Sequence, residues 1–124
     1  MDVVATESAP KAIGPYSQAV KANGLLYTSG QIALDPKTGN LVEGDFNAQA
    51  RRVFENLKAV LKEAKSDFSR VTKATVYLTD LANFQSLNAI YAEYFGSHKP
   101  ARTTVGVASL PRGAAVEIDL IAVV

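Results

Sequence analysis

Two charged side chains near the C-terminus lie in segments that otherwise have the pattern of buried strands. Arg102 is the second residue of the run ARTTVGVA at 101–108, and Glu117 lies within AVEIDLIAVV at 115–124. A planar guanidinium binds a carboxylate through two parallel hydrogen bonds. A carboxyl group whose pKa is raised by burial can activate a water molecule near neutral pH. The two residues therefore allow either a ligand site or a simple salt bridge at an interface.

The composition excludes most other classes of catalytic centre. The chain has no cysteine and one histidine, His98, so disulfides, thiolate nucleophiles and cysteine metal sites are excluded, and a transition-metal site is not expected. A Ser-His-Asp arrangement would have to use His98, and there is no Gly-x-Ser-x-Gly motif. The 13 basic and 12 acidic residues give a net charge of +1, which disfavours nucleic acid as a partner.

The length and the hydrophobic pattern predict one domain, residues 1–124, in the cytosol. A chain of 124 residues is long enough to bury one hydrophobic core. No apolar run approaches about 18 residues, so no membrane span is expected. The N-terminus lacks the basic and apolar regions of a signal peptide.

Hydrophobic periodicity predicts the elements that position the charged residues. The dipeptide Asn23-Gly24 is a strong hairpin signal, and Asp45 and Asn83 are expected to cap two helices. The predicted elements are strands at 3–6, 18–22, 25–34, 70–80, 102–109 and 115–124, and helices at 46–64 and 84–95. This order predicts an α+β domain in which two helices pack on one face of a sheet, with no further layer for the other face.

Strand alternation assigns the residues of the last two strands to faces of the sheet. The more apolar set of each strand is expected to face the helices. Arg102 and Thr104 then face away from the helices on one strand, and Glu117 and Asp119 do so on the other. That second face would also carry small and apolar residues, which suggests burial against another copy of the chain; they are Gly106, Ala108, Ile121 and Val123.

A polar amide interrupts the apolar stripe of the second helix. Asn88 follows Phe84 by four residues and precedes Tyr91 by three, so the three side chains lie on one helix face. A buried amide without partners costs about 1–3 kcal/mol. Asn88 is therefore expected either to make a structural hydrogen bond to a strand edge or to hold a loop or a ligand.

Four long segments resemble the RidA family, also called the YjgF family. They are GPYSQA at 14–19, TSGQIALDPKTG at 28–39, KATVYLTDLANFQSLNAIYAEYF at 73–95 and PARTTVGVASLPRGAAVEID at 100–119. The resemblance covers almost the whole chain in unbroken order. It implies a mixed sheet in a fold like that of Bacillus chorismate mutase. It also implies a homotrimer whose sheets surround a barrel-like core, with clefts between neighbouring subunits.

The resemblance also implies an activity. RidA-type proteins hydrolyse reactive enamines and imines, such as 2-iminobutanoate and 2-iminopropanoate, to 2-keto acids and ammonia. Pyridoxal-phosphate enzymes make these reactive compounds. They need no cofactor and no metal. Two alternatives remain, a non-catalytic sensor that binds 2-keto acids in the same cleft and an endoribonuclease-type translation inhibitor. The near-neutral charge and the single histidine disfavour the ribonuclease.

The family's site residues match particular positions of this sequence. Arg102 corresponds to the arginine that binds the substrate carboxylate, and Glu117 to the glutamate proposed to position or activate water. Thr104 replaces a cysteine found in many members and is expected to bind substrate through its hydroxyl. Asp119 replaces the second glutamate of a Glu-x-Glu motif and is expected to be structural. The residues that match positions lining or shaping the cleft are Tyr16, Ser29, Gly30 and Asn88.

The strand order decides whether Arg102 and Glu117 can serve one ligand. In a simple hairpin the two residues would be offset along the strands by too great a distance for one small molecule. The family fold instead places the TVYL strand between them and adds residues of a neighbouring subunit. We therefore predict a composite site.

Overall fold

Six strands and two α-helices form the regular structure of the computed structural model, which describes residues 1–124. The helices pack on one face of the sheet, so the predicted α+β architecture and the predicted order of elements are confirmed. The strands are β1 (Asp2–Val4), β2 (Ala19–Ala22), β3 (Leu25–Thr28), β4 (Val71–Leu78), β5 (Ala101–Gly106) and β6 (Val116–Val123), and the helices are α1 (Phe46–Glu63) and α2 (Phe84–Phe95).

The strands follow the order β1-β2-β3-β6-β4-β5 across the sheet. The β4–β5 pair is parallel and the other pairs are antiparallel, so the sheet is mixed. Helix α2 supplies the crossover that two parallel strands require. The β2–β3 hairpin turns at Asn23 and Gly24, with φ angles of 53° and 78° that suit a type I′ turn. Because β4 separates β5 from β6, Arg102 and Glu117 are not on neighbouring strands.

Strand β3 is shorter than predicted and ends at Thr28. The Thr28 hydroxyl accepts a hydrogen bond from the Leu120 N–H at 2.9 Å, in place of a backbone carbonyl. Pairing with β6 resumes at Gln31 and Ile118, so the β3 side carries one extra residue. Such bulges are common beside functional sites because they redirect the chain locally. Gly30 lies in this bulge.

The two helices begin in different ways. Helix α1 has the predicted cap, since the Asp45 carboxylate accepts a hydrogen bond from the Ala48 N–H at 2.9 Å. The predicted cap of α2 is wrong, because the Asn83 side chain makes no capping bond. A 3₁₀ turn at Leu81–Asn83 runs directly into α2, and Asp80 caps that turn instead. Neither helix combines the length and the apolar character needed to cross a bilayer.

The core lies between the helices and the sheet. Alternate residues of β4 and β6 face the helices and are buried, which follows from the period of two along a strand. Phe54 of α1 is fully buried at the centre of an aromatic cluster. The rings around it are Phe68, Tyr91, Tyr94 and Phe95.

The face predicted for the polar residues of β5 is wrong. Arg102 and Thr104 pair with Ala74 and Val76 of β4, which are buried beneath the helices. Both side chains therefore lie on the helix face. Gly106 has the same orientation, since a Cβ atom added there would meet the Leu81 side chain. The expectation that the more apolar set of a strand faces the helices fails here because β5 is an edge strand. Arg102 contacts aromatic rings of α2 there instead of entering the core.

The face away from the helices, here called the open face, carries Glu117 and Asp119. Their placement confirms the prediction for β6, since both alternate with buried residues. The open face is also rich in apolar side chains, and one row of them crosses four strands at Val3, Val20, Tyr27 and Ile121. Val3 is 68% exposed and Tyr27 is 42% exposed. Neither helix covers this apolar surface.

Candidate functional site

Glu117 projects from β6 on the open face, directly across from Tyr77 of β4. Its carboxylate has no ion-pair or hydrogen-bond partner within the chain. The Tyr77 hydroxyl donates instead to Asp119 Oδ2 at 3.1 Å. Partial burial raises the pKa of Glu117, and the neighbouring Asp119 carboxylate raises it further. Glu117 is therefore a better proton acceptor than an ordinary surface carboxylate.

Gly30 lies against the Glu117 carboxylate. A Cβ atom at this position would overlap Glu117 Oε2 and would come within 2.8 Å of the carboxyl carbon. Gly30 does not have a positive φ angle, so the requirement for glycine is one of space. The bulge in the β3 region thus brings bare backbone against the side of the carboxylate.

A cleft of about 130 Å³ opens beside Glu117, between the loop before β2 and the loop after β3. Two cationic side chains, Lys11 and Arg112, border the cleft. We call it the glutamate cleft and define it by Lys11, Tyr16, Gly30, Gln31, Arg112 and Glu117. Of the predicted site residues, Tyr16, Gly30 and Glu117 are therefore brought together.

The loop before β2 is held by Gln18, a buried amide. Its Oε1 accepts from the Thr6 N–H at 2.7 Å, and its Nε2 donates to the Pro10 carbonyl at 2.7 Å. Ser29 adds a second tie, because its hydroxyl donates to the Ser17 carbonyl at 2.5 Å. Ser29 thus fastens the Tyr16 loop next to Gly30, and it does not itself line the cleft.

The loop after β3 is held by Asn56, which is fully buried on α1. Its Nδ2 donates to the Ile32 carbonyl at 3.3 Å and to the Leu34 carbonyl at 3.0 Å. Its Oδ1 accepts from Arg52 Nε at 3.0 Å. The core-facing side of α1 therefore fixes the segment that follows Gly30.

Arg102 lies on the other side of the sheet, half-buried between β5 and α2. Its guanidinium carbon is 4.8 Å from the centroid of the Tyr91 ring and 5.5 Å from that of Phe84. It has no ion-pair partner within the chain. A guanidinium that contacts aromatic rings and has no ion-pair partner keeps N–H groups available for an anion.

Three buried polar atoms on α2 and β5, the two elements beside Arg102, lack a hydrogen-bond partner: Asn88 Oδ1, Tyr91 Oη and Thr104 Oγ1. Burial raises the pKa of the Tyr91 phenol, and the nearby Arg102 charge opposes that effect. Since the Asn88 oxygen is unpartnered, the structural hydrogen bond considered for it is not made by this atom. We call Phe84, Asn88, Tyr91, Arg102 and Thr104 the arginine surface.

The glutamate cleft and the arginine surface are far apart within one chain. Glu117 pairs with Tyr77, and Tyr77 pairs with Val105, so Glu117 is two strands away from β5. With about 4.8 Å between strands and about 3.3 Å per residue, the Cα atoms of Glu117 and Arg102 are roughly 14 Å apart. Their side chains also point to opposite faces. One small ligand cannot contact both residues of the same chain.

The chain has no group of three or more His, Cys, Asp or Glu side chains positioned to hold a metal ion. Its single histidine is engaged elsewhere, since the His98 ring Nε2 lies 2.7 Å from the Val71 carbonyl. A carbonyl can only accept, so Nε2 carries the proton there.

Sequence reasoning missed several residues of the glutamate cleft and the arginine surface. Phe84 and Tyr91 were assigned to the core stripe, although their spacing from Asn88 already placed them on its face. Asn56 occupies an apolar stripe just as Asn88 does, and the same rule would have identified it. Lys11 and Arg112 gave no signal, because cations in Pro- and Gly-rich loops are usually solvated.

The model of one protein family, described as Endoribonuclease L-PSP, matches residues 6–124. A RutC family protein from Pyrococcus horikoshii is 52% identical over 121 residues, which cover 98% of this chain and 96% of that protein. Reactive Intermediate Deaminase A, a chloroplastic protein of Arabidopsis thaliana, is 48% identical over 121 residues, which cover 98% of this chain and 65% of that protein.

Solved structures resemble the whole chain. YyfA of Yersinia pestis, from the conserved Rid protein family, superposes with a TM-score of 0.97 at 49% identity and covers 99% of this chain and 98% of its own. Escherichia coli TdcF, solved with bound serine, has a TM-score of 0.94 at 39% identity, with 100% of this chain and 99% of its own covered.

Proposed function

Because the chain belongs to the Endoribonuclease L-PSP family, which includes the RidA proteins, we propose that it hydrolyses reactive 2-imino acids and their enamine forms to 2-keto acids and ammonia. The substrates include 2-iminobutanoate and 2-iminopropanoate. The observation that carries the proposal is Arg102, a half-buried guanidinium without an anionic partner, between two elements that carry unpartnered polar atoms. A substrate carboxylate fits this environment, since it can accept two parallel hydrogen bonds from the guanidinium.

The active site forms between two copies of the chain in a homotrimer. Arg102 and Glu117 lie on opposite faces of one sheet, so a substrate held by one needs the other from a neighbouring chain. The apolar row on the open face supports such an assembly, because exposed apolar surface of this extent is typical of interfaces. Each site then combines one arginine surface with the neighbour's glutamate cleft.

Glu117 acts on water and Arg102 on the substrate. The carbon of a protonated imine is already electrophilic, so orientation of the water contributes more than strong activation. Glu117 accepts a proton as the water oxygen bonds to C2, which gives a tetrahedral carbinolamine. The amine then takes up the proton held by Glu117 and leaves as ammonia. The carbinolamine hydroxyl passes its own proton back to Glu117 as the C2–O bond becomes the carbonyl of the 2-keto acid. Asn88 and Thr104 supply polar contacts beside the bound carboxylate.

A coupled assay tests the activity. A threonine dehydratase generates 2-iminobutanoate, and semicarbazide traps the imine in competition with its hydrolysis. Wild-type protein is expected to lower the rate of semicarbazone formation, and Arg102→Ala protein is not. If wild type and Arg102→Ala give equal trapping, the chain is not a deaminase of this substrate. Binding of 2-ketobutyrate without turnover would then favour the sensor.

The name of the family model also raises ribonuclease activity. The balance of charges and the engaged His98 ring disfavour it, because cleavage of RNA by general acid–base chemistry draws on cationic and titrating side chains. RNA cleavage that persists after purification at high salt, and that Glu117→Gln abolishes, would support this second function.

A further inference from the structure

Aromatic rings of α2 contact the Arg102 guanidinium and can hold it in one orientation. We infer that Tyr91 is a positioning residue, whose ring orients the Arg102 guanidinium for binding a carboxylate. The inference rests on the proposed function only for the identity of that carboxylate. The orientation of Arg102 itself can be measured without any turnover.

The Tyr91 ring is fixed from behind by the core. It stacks on Phe95 with centroids 4.3 Å apart and an interplanar angle of 26°. It also meets Phe54 edge to face, at 5.9 Å and 81°. Phe54 and Phe95 are 0% and 5% exposed, so both supports belong to the packed interior. A ring held on two sides by buried aromatics has little freedom to rotate or shift.

The free face of Tyr91 meets the guanidinium. The distance from the Arg102 guanidinium carbon to the Tyr91 centroid is 4.8 Å, within the range of a cation–π contact. Phe84, two turns earlier on α2, makes a longer contact of 5.5 Å and is 39% exposed. Because Arg102 has no ion-pair partner in the chain, these rings are its principal orienting contacts.

Orientation matters because bidentate binding is planar. A carboxylate bonds to two N–H groups only when it lies in the plane of the guanidinium. An arginine free to sample many rotamers loses side-chain entropy each time it binds, whereas one held against an aromatic face has already lost part of it. The ring of Tyr91 therefore strengthens carboxylate binding without touching the carboxylate.

Removing the hydroxyl of Tyr91 and removing its ring are expected to have different effects on carboxylate binding. The hydroxyl is buried without a partner and takes no part in the contact with the guanidinium. Tyr91→Phe is expected to keep the affinity for 2-ketobutyrate within about twofold, because the aromatic face remains. Tyr91→Leu and Tyr91→Met are expected to weaken it about tenfold, the weight of one partly desolvated cation–π contact. Met keeps much of the volume if the Leu variant folds poorly.

Calorimetry with 2-ketobutyrate and ¹⁵N NMR of the Arg102 Nε–H group measure these effects. In wild type and Tyr91→Phe the Nε–H signal should show ring-current shift and restricted motion, and in the Leu and Met variants both should diminish. Tyr94→Leu is the matched control, since Tyr94 lies on α2 like Tyr91 and stacks on Phe54 of α1. The cation–π contacts of Arg102 are with Phe84 and Tyr91 and not with Tyr94. It should leave the affinity and the Arg102 signal unchanged.

Three outcomes would overturn the inference. They are an unchanged Arg102 signal and affinity in the non-aromatic variants, an equal loss in Tyr94→Leu, and an equal loss in Tyr91→Phe. The last outcome would mean that the hydroxyl contacts the ligand itself. If wild type shows no imine hydrolysis, the deaminase proposal fails, and the NMR comparison still decides whether Tyr91 orients Arg102.

Discussion

On the open face of the sheet, Glu117 lies in a cleft bounded by loops and bare backbone, whereas on the helix face Arg102 lies against aromatic side chains. The glutamate cleft depends on the absence of a side chain at Gly30 and on loops tied down by buried amides. The arginine surface depends on rings that belong to the core and reach its edge.

The difference teaches that one chain places the glutamate cleft and the arginine surface by different physical means. Glu117 is placed by the path of the backbone, and its pKa is raised without any contact from Arg102. Arg102 is placed by packing, and it keeps its hydrogen-bond donors free. In the proposed function each region needs the other from a neighbouring chain, so the activity depends on how the chains meet. Four experiments test this division, in order of expected effect.

Mixed assemblies test whether the glutamate cleft and the arginine surface of one site come from different chains. Arg102→Ala and Glu117→Gln proteins are each expected to lose at least about 100-fold in activity. Co-expressed subunits should regain about a quarter of wild-type activity, because one in four random neighbour pairs contains both intact residues. Semicarbazide competition measures the recovery.

The control for this experiment mixes Arg102→Ala with the double variant Arg102→Ala/Glu117→Gln, in which no neighbour pair is intact. Recovery no greater than in this control would mean that one subunit supplies both residues, or that they do not act together. Either result would remove the composite site.

Gly30→Ala tests the backbone side of the comparison. The new methyl group would displace the Glu117 carboxylate, and a misplacement of about 1 Å can cost about 100-fold in rate, so we expect a loss of 10- to 100-fold in kcat/KM. The same substitution in Glu117→Gln protein should cost little more, because the group it disturbs is already inactive. Additive losses would show that Gly30 acts independently of Glu117.

Asn56→Ala tests how the glutamate cleft is held. The Ile32 and Leu34 carbonyls would lose their donor, so the free energy of unfolding should fall by about 2 kcal/mol. Asn83→Ala is the matched control and should change it by less than about 0.5 kcal/mol, since that side chain makes no capping bond. Urea denaturation measures both. Equal effects of the two substitutions would contradict the anchoring role.

Asp119→Asn tests the charge environment of Glu117. A general base works when deprotonated, so activity should fall as the pH drops through the raised pKa of Glu117. Removing the Asp119 charge lowers that pKa, and the acidic limb of kcat/KM should therefore move to lower pH. Tyr77→Phe keeps the charge and serves as control. A shift to higher pH in Asp119→Asn would contradict this assignment.

The regular elements were predictable because local signals agreed with the final packing. The bounds of α2, the Asp45 cap and the Asn-Gly turn all follow from short-range chemistry that the tertiary structure leaves intact. The face of Arg102 was not predictable in this way. On an edge strand the more apolar set of side chains need not face the helices, because side chains on that face can contact the exposed side of a helix instead of the core.

The early end of β3 was also not predictable, because it depends on pairing with a strand that is distant in sequence. The segment after Thr28 is rich in residues that favour strands, and only its pairing with β6 shows that a hydroxyl replaces a backbone carbonyl there. That substitution creates the bulge that brings Gly30 to Glu117. A contact across this much sequence cannot be read from either segment alone.

The sequence by itself determined the residue types, the order of the elements and the family, because periodicity, turn chemistry and long motifs are local properties. Only the tertiary structure decided that Arg102 and Glu117 lie on opposite faces, with Tyr91 behind one and Gly30 against the other. The physical reason is register. The register with neighbouring strands fixes the face on which each side chain lies. Strand β4 pairs with both β5 and β6, so its two registers determine the faces of Arg102 and of Glu117.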